Sequence, residues 1–98
     1  MLLQAHYLLR SKADGSYLVA HLDNQESPVK NSQYLLIFNE SFDALSYLNT
    51  HGFDIREKFV VESIAGNQLG KLLQRWGFKG VGIVQDPLLP KIDFLAKN

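Results

Sequence analysis

Five consecutive apolar residues, Tyr34-Leu35-Leu36-Ile37-Phe38, stand between polar flanks in the middle of the chain. Side chains of a strand alternate between its two faces, so an unbroken apolar run of this length is typical of a central strand buried on both faces. We therefore expect the chain to be built around a β-sheet in which this run is a central strand.

A first helix is predicted directly after this strand. Ser41 is a favourable N-cap residue, and Gly52 is a natural residue for ending a helix. The apolar residues between them recur at helical spacing and predict one buried face, formed by Phe42, Ala44, Leu45 and Leu48.

A second helix has the clearest pattern in the sequence. Asn67 is a candidate N-cap, and Gly77 is expected to end the helix. Positions i, i+3, i+4 and i+7 are all apolar, which predicts a complete core stripe formed by Leu69, Leu72, Leu73 and Trp76.

The remaining segments indicate strands. Residues 3–10 and 16–22 flank Asp14-Gly15, a strong hairpin signal, and residues 23–32 form a long polar loop. Further strands are expected at residues 59–64, 79–84 and 91–95. The prediction is a single α+β domain over residues 1–98, in the order β-β-β-α-β-α-β-β. Its mixed sheet of five or six strands has both helices on one face, parallel helix-linked strands and antiparallel edges from the hairpins.

Composition excludes several classes of site. The chain has no cysteine, which excludes disulfides, thiolate metal sites and a cysteine nucleophile, and suits a reducing cytoplasm. Ten basic and ten acidic residues give a formal net charge of zero, whereas nucleic-acid binders usually carry a basic excess. Lys71, Arg75 and Lys79 are the candidates for a local basic patch. No apolar run approaches the roughly 20 residues that span a bilayer.

Two of the three histidines, His6 and His21, lie on the two arms of the predicted hairpin. In regular pairing they stand directly opposite each other. If Gly15 instead forms a bulge, His21 faces Tyr7 and the two histidines point to opposite sides. Without an adjacent carboxylate, two histidines make a poor metal site, and no metal is predicted. His51 is interpreted as a helix C-terminal residue that interacts with the helix dipole.

Other candidate constellations have structural explanations. No Gly-x-Ser-x-Gly motif is present, and the acidic pairs Asp14 with Asp23, Glu57 with Glu62, and Asp86 with Asp93 fit solvated turns and strand ends. Gly77, Gly80 and Gly82 run from a helix into a strand, the reverse of a dinucleotide loop. Gly80 and Gly82 share one side of the strand, where a helix or a partner backbone can approach closely, and we favour helix packing over a ligand site.

The turn Gly66-Asn67-Gln68 is the one candidate ligand site. It links a strand to a helix N-terminus, and ligands of open α/β sheets bind at such strand ends. The turn has no Lys, Ser or Thr, and an ordinary capped turn is the competing interpretation. A separate expectation concerns the sheet face without helices, whose Tyr and Leu side chains would form a partner surface.

An apolar strand ending at Phe38 is followed by Asn39-Glu40-Ser41-Phe42-Asp43-Ala44, which opens a helix, then by a strand over residues 59–66, a helix over residues 68–77 and a closing strand over residues 80–87. In this pattern residues 34–87 resemble the SseB-like N-terminal domain. This chain ends that strand with Asp86-Pro87, where the family has Asn-Pro or similar, and adds an N-terminal hairpin and a polar loop. The family is associated with stress and secretion, and the resemblance implies no catalytic residues.

Together these patterns predict a non-enzymatic bacterial protein-interaction or self-associating domain, cytoplasmic and homodimeric, with no cofactor, nucleic acid or membrane partner. The alternative is a small-molecule-binding or regulatory domain whose site lies at Gly66, Asn67 and Gln68.

Overall fold

A computed structural model of the chain describes residues 4–21 and 33–96. The predicted loop over residues 23–32 lies outside the described residues. The described part contains six strands, two α-helices and one 3₁₀ helix. Their bounds are β1 Ala5–Ser11, β2 Val19–His21, β3 Gln33–Phe38, α1 Ser41–His51, the 3₁₀ helix Phe53–Lys58, β4 Phe59–Ala65, α2 Gly66–Trp76, β5 Gly80–Asp86 and β6 Lys91–Ala96.

The strands form one mixed sheet in the order β4-β1-β3-β5-β6, with β2 also pairing with β3. β3 is parallel to β5, and β1 is antiparallel to both β3 and β4. The three strands joined through helices, β3, β4 and β5, therefore run in one direction, as predicted. The α+β class, the mixed sheet and the order of elements are confirmed.

The N-terminal strand β1 is an interior strand, which corrects the expectation that the hairpin adds an edge. β1 pairs with β4 along its whole length, from Ala5 opposite Ala65 to Ser11 opposite Phe59. Its other side meets β3 at Tyr7 and Phe38. Leu8 and Leu9 are 0% and 1% exposed, because β1 is covered on both faces as well as flanked on both sides.

The helices cover opposite faces of the sheet, so the prediction that both lie on one face is wrong. Consecutive residues of β3 alternate between two core clusters: Leu35 and Ile37 pack with Leu73 of α2, whereas Leu36 and Phe38 pack with α1. The physical reason is the apolar run itself, because a strand with apolar side chains on both faces needs cover on both. The predicted uncovered face is therefore absent from the described part of the sheet.

The buried face of α1 also differs from the prediction. Ala44 and Leu48 are buried and Tyr47 packs beside them, but Phe42 and Leu45 are 73% and 49% exposed. Ala44 and Leu48 belong to the predicted face, and Tyr47 takes the place of Phe42 and Leu45, so the buried i, i+3, i+4 set is rotated only part of the way around the helix.

The helix ends are set by backbone conformation, because neither N-cap residue makes a side-chain cap hydrogen bond. Residues Glu40 and Ala65 occupy the N-cap positions, without side-chain cap hydrogen bonds, where Ser41 and Asn67 were expected. Gly77 ends α2 as predicted, with φ of 73°. Amide groups of Gly77 and Phe78 donate to the carbonyls of Gln74 and Leu73, a Schellman motif that turns Phe78 into the core.

Gly80 and Gly82 are close-approach positions, but neither faces a helix. A Cβ on Gly80 would overlap the Leu95 carbonyl of β6, and one on Gly82 would lie 3.0–3.1 Å from side chains of Leu36, Ile92 and Phe94. The helix-packing interpretation is therefore wrong, and the two glycines serve the pairing and packing of β6.

Candidate functional site

The structure separates the two histidines of the predicted hairpin. The hairpin keeps the regular register of the two alternatives, since Ser11 donates to Ser16 and Leu18 donates to Leu9; Gly15, with a φ of 73°, also donates to the Ser11 carbonyl. The chain then leaves β1, and β2 pairs with β3. His21 lies opposite Gln33 and His6 opposite Ile64, so neither predicted pairing of the histidines occurs.

Distance along the sheet explains why the histidines do not form one site. β1 meets β3 at Phe38, whereas His21 meets it at Gln33, five residues or roughly 16 Å away at the usual strand rise. Among residues 4–21 and 33–96, no group of three or more His, Cys, Asp or Glu side chains could hold a metal ion. His51, the last residue of α1, donates from Nε2 to the Pro87 carbonyl at 2.8 Å.

Three acidic residues of the predicted pairs, Asp14, Asp86 and Asp93, have separate local partners. Asp14 accepts hydrogen bonds from the amide and hydroxyl of Ser16, and the backbone hydrogen bond lowers its pKa. Asp86 accepts from two amides of the following turn, and Asp93 accepts from Gln85. Asp23 lies outside the described residues. These carboxylates stabilise turns and strand ends, which is the structural role expected for them.

The network around Glu62 joins the hairpin to β4. Arg10 Nη1 donates to Glu62 Oε2 at 3.2 Å, and the Tyr17 hydroxyl donates to Glu62 Oε1 at 3.3 Å. Arg10 also donates from Nε to the Gly15 carbonyl at 3.0 Å, and its guanidinium lies 5.2 Å from the centre of the Tyr17 ring. The hydrogen bond to Glu62 raises the pKa of Arg10. The network fixes Tyr17 on the face of the sheet that α2 covers.

Trp76, the only tryptophan of the chain, lies next to Tyr17 and remains 40% exposed. The two rings meet edge to face at 5.2 Å, and Trp76 stacks on Phe78 at 6.1 Å. An open groove of about 260 Å³ runs along these rings. We call it the aromatic groove; its lining residues are Ser16, Tyr17, Val19, Gln33, Trp76 and Phe78. Trp76 is therefore only partly buried, whereas the sequence pattern predicted that it belongs to a fully buried stripe.

A second groove of about 160 Å³ lies between α2 and β4. We call it the cationic groove; it is lined by Ile64, Gln68, Lys71, Leu72 and Arg75. Burial raises the pKa of Tyr17 in the neighbouring aromatic groove, and the charge of Arg75 opposes this with a smaller contribution. Of the predicted ligand turn, Gln68 lines this groove, while Gly66 opens α2 and Asn67 is exposed. A ligand at this turn stays a prediction.

A third cavity, of about 210 Å³, lies on the opposite face between β2 and the end of α1. Its polar side chains are Tyr47 and His51, whose rings lie 4.8 Å apart. The other lining residues are Leu18, Val19, Ala20, Leu36, Leu48 and Gly52. Apolar lining dominates this cavity, and it contains no carboxylate.

Ionisation of two tyrosines is expected to lower stability at alkaline pH. Burial raises the pKa of Tyr47, and burial followed by the Glu62 charge raises that of Tyr17. A raised folded-state pKa contributes stability that is full below the unfolded-state value, about 10, and is lost as pH rises through the folded-state value. We therefore expect the free energy of unfolding to fall above about pH 10.

Urea unfolding followed by circular dichroism across this pH range measures the effect. The double variant Tyr17→Phe, Tyr47→Phe is expected to reduce the alkaline slope while keeping the wild-type pH dependence near neutrality. A wild-type alkaline slope in the double variant would contradict the assignment.

Sequence patterns placed Trp76 and the basic residues on α2 but missed Tyr17, Glu62 and Arg10 as one network. Residue 62 is 45 positions from residue 17 and 52 from residue 10. No local spacing joins them. The one available signal was that alternate residues of a strand lie on the same face of the sheet. Arg10 and Leu8 share one face of β1, and Glu62 and Ile64 share one face of β4.

Within the described residues, no helix is both long enough and apolar enough to cross a membrane. Comparison with known proteins adds no relative: no family model, curated protein or solved structure matches this chain.

Proposed function

We propose that this chain is a non-enzymatic protein-interaction domain that binds an acidic polypeptide segment on the α2 side of its sheet. The observation that carries this proposal is Trp76, 40% exposed and held edge-on by Tyr17 beside an open groove. Partly exposed Trp and Tyr side chains are enriched at protein interfaces because each buries a large area with few rotatable bonds.

Charge supports an acidic partner. Helix α2 contains Lys71 and Arg75 and no acidic residue, and Lys79 follows three residues after Trp76. Electrostatic complementarity steers association and selects the orientation of the partner. The predicted resemblance of residues 34–87 to the SseB-like domain stays a prediction, and its lack of implied catalytic residues agrees with a binding role.

Selection of peptides from a random displayed library, with the immobilised chain as bait, tests the proposal. We expect enrichment of peptides that combine Asp or Glu with an apolar anchor. The Trp76→Ala variant should weaken their binding about tenfold or more, as loss of a central aromatic anchor does. Fluorescence anisotropy of a labelled selected peptide measures the affinity.

Leu89→Ala provides the matched control, because Leu89 is 76% exposed but lines neither groove. It should bind the selected peptides as the wild type does. Failure to enrich any peptide, or equal affinity of wild type and Trp76→Ala, would overturn the proposal.

A further inference from the structure

Formal charge is divided unevenly between the two helices, although the whole chain is neutral. Residues 66–79, which contain α2, carry three basic residues and no acidic one. Residues 33–50, which contain most of α1, carry Glu40 and Asp43 and no Lys or Arg. Since α1 and α2 pack on opposite faces of the sheet, one face of the molecule presents an acidic helix and the other a basic helix.

The acidic helix also exposes apolar side chains. Phe42 is 73% and Leu45 is 49% exposed, one helical turn apart on the outer side of α1. Glu40 is exposed and Asp43 partly exposed beside them. We call these four residues the α1 surface. It has the chemistry that the α2 side was argued to bind: apolar anchors flanked by carboxylates.

The basic helix presents the complementary set. Lys71, Arg75 and Trp76 are exposed on α2, and Tyr17 lies against the Trp76 ring. We call these four residues the α2 surface. Two large apolar side chains of the α1 surface therefore match two aromatic rings of the α2 surface, and two carboxylates match two cations.

We propose that the α1 surface of one copy docks on the α2 surface of a second copy of this chain. This rests on the proposed function and names its partner. Because the two surfaces lie on opposite faces, each docked pair of copies leaves one α1 surface and one α2 surface free. Such heterologous contacts continue into open chains or rings instead of stopping at a closed two-fold dimer.

Wild-type self-association provides the first measurement. Sedimentation velocity between about 10 µM and about 1 mM, the range of weak transient contacts, is expected to show a mass that keeps rising beyond two copies. Trp76 is the only tryptophan, so its emission should shift to shorter wavelength over the same range. Salt at about 1 M should reverse both changes, because it screens charges beyond about 3 Å.

Charge reversal tests the pairing of the two surfaces. The variants Lys71→Glu with Arg75→Glu, and Glu40→Lys with Asp43→Lys, each make both surfaces of one copy alike in charge. Each variant alone is expected to raise the apparent dissociation constant about tenfold or more. An equimolar mixture should regain association, because each variant then meets the opposite charge on the other.

Two further variants separate docking from folding. Phe42→Ser removes an apolar anchor without changing charge and should also weaken association, whereas Leu89→Ser, at a position 76% exposed outside both surfaces, should not. Thermal unfolding by circular dichroism at low concentration checks that every variant is folded.

Several results would overturn the inference: a wild-type monomer at about 1 mM, a mass that stops at two copies, no recovery in the mixture, or wild-type association of Phe42→Ser. A monomeric wild type that still binds selected acidic peptides through Trp76 overturns the self-docking and keeps the proposed function. A monomeric wild type that binds no selected peptide overturns both the self-docking and the proposed function.

Discussion

Replacement of Phe38 by Ala is expected to lower the free energy of unfolding by about 3–5 kcal/mol, the range for emptying a large buried aromatic site. Phe38 is 0% exposed at the end of β3, and its ring lies 5.5 Å from that of Tyr47 on α1. It is also the residue at which β3 meets β1, opposite Tyr7. The cavity would therefore open where the sheet and α1 join.

Phe42→Ala is the matched control, because it removes the same atoms four residues along the chain. Phe42 is 73% exposed, so its loss should change stability by no more than about 0.5 kcal/mol. Urea unfolding at low micromolar concentration, followed by circular dichroism, compares the two. Similar losses of unfolding free energy in both variants would show that α1 packs on the sheet through Phe42, as the sequence pattern predicted. That result would contradict a buried face formed by Ala44, Tyr47 and Leu48.

Replacement of Gly80 by Ala is expected to cost about 3 kcal/mol or more, at the upper end of overpacking effects. The added Cβ would overlap the Leu95 carbonyl and lie 2.8 Å from the Ala96 Cα. These obstacles are backbone atoms of β6, which cannot rotate away as a side chain would. We expect β6 to separate from the first residues of β5.

Gly70→Ala is the matched control, because the same chemical change is expected here to raise stability instead of lowering it. Gly70 is exposed on α2, and nothing lies within 4 Å of an added Cβ. Alanine should stabilise the helix by about 0.5–1 kcal/mol. Hydrogen exchange of the β5 and β6 amides, with urea unfolding, measures both variants. Native protection of β6 in Gly80→Ala would contradict the close approach.

Local patterns in the sequence were sufficient for the elements themselves. Apolar spacing and glycine punctuation located both helices and the central strand, because a helix repeats every 3.6 residues and a strand every two. Gly77 was assigned correctly, since only a residue that tolerates positive φ fits the end of α2. The same patterns placed Lys71, Arg75 and Trp76 on the helix that now carries the proposed binding surface.

Tertiary pairing decided what these patterns left open. β1 lies between β4 and β3, which moved His6 away from His21 and brought Arg10 to Glu62. Pairing across more than 40 residues depends on which strands lie side by side, and no local period encodes it.

The cover of the two sheet faces was also predicted in part by the sequence and decided in part by the tertiary structure. The apolar run over residues 34–38 predicted a strand buried on both faces, but both helices were expected on one face, whereas the structure places one helix on each. Which side of α1 would be buried was decided only in three dimensions. Its apolar residues extend around much of the helix, and packing against Phe38 selected Ala44, Tyr47 and Leu48. Phe42 and Leu45 were left exposed by that choice, and they now form the apolar part of the proposed contact between copies.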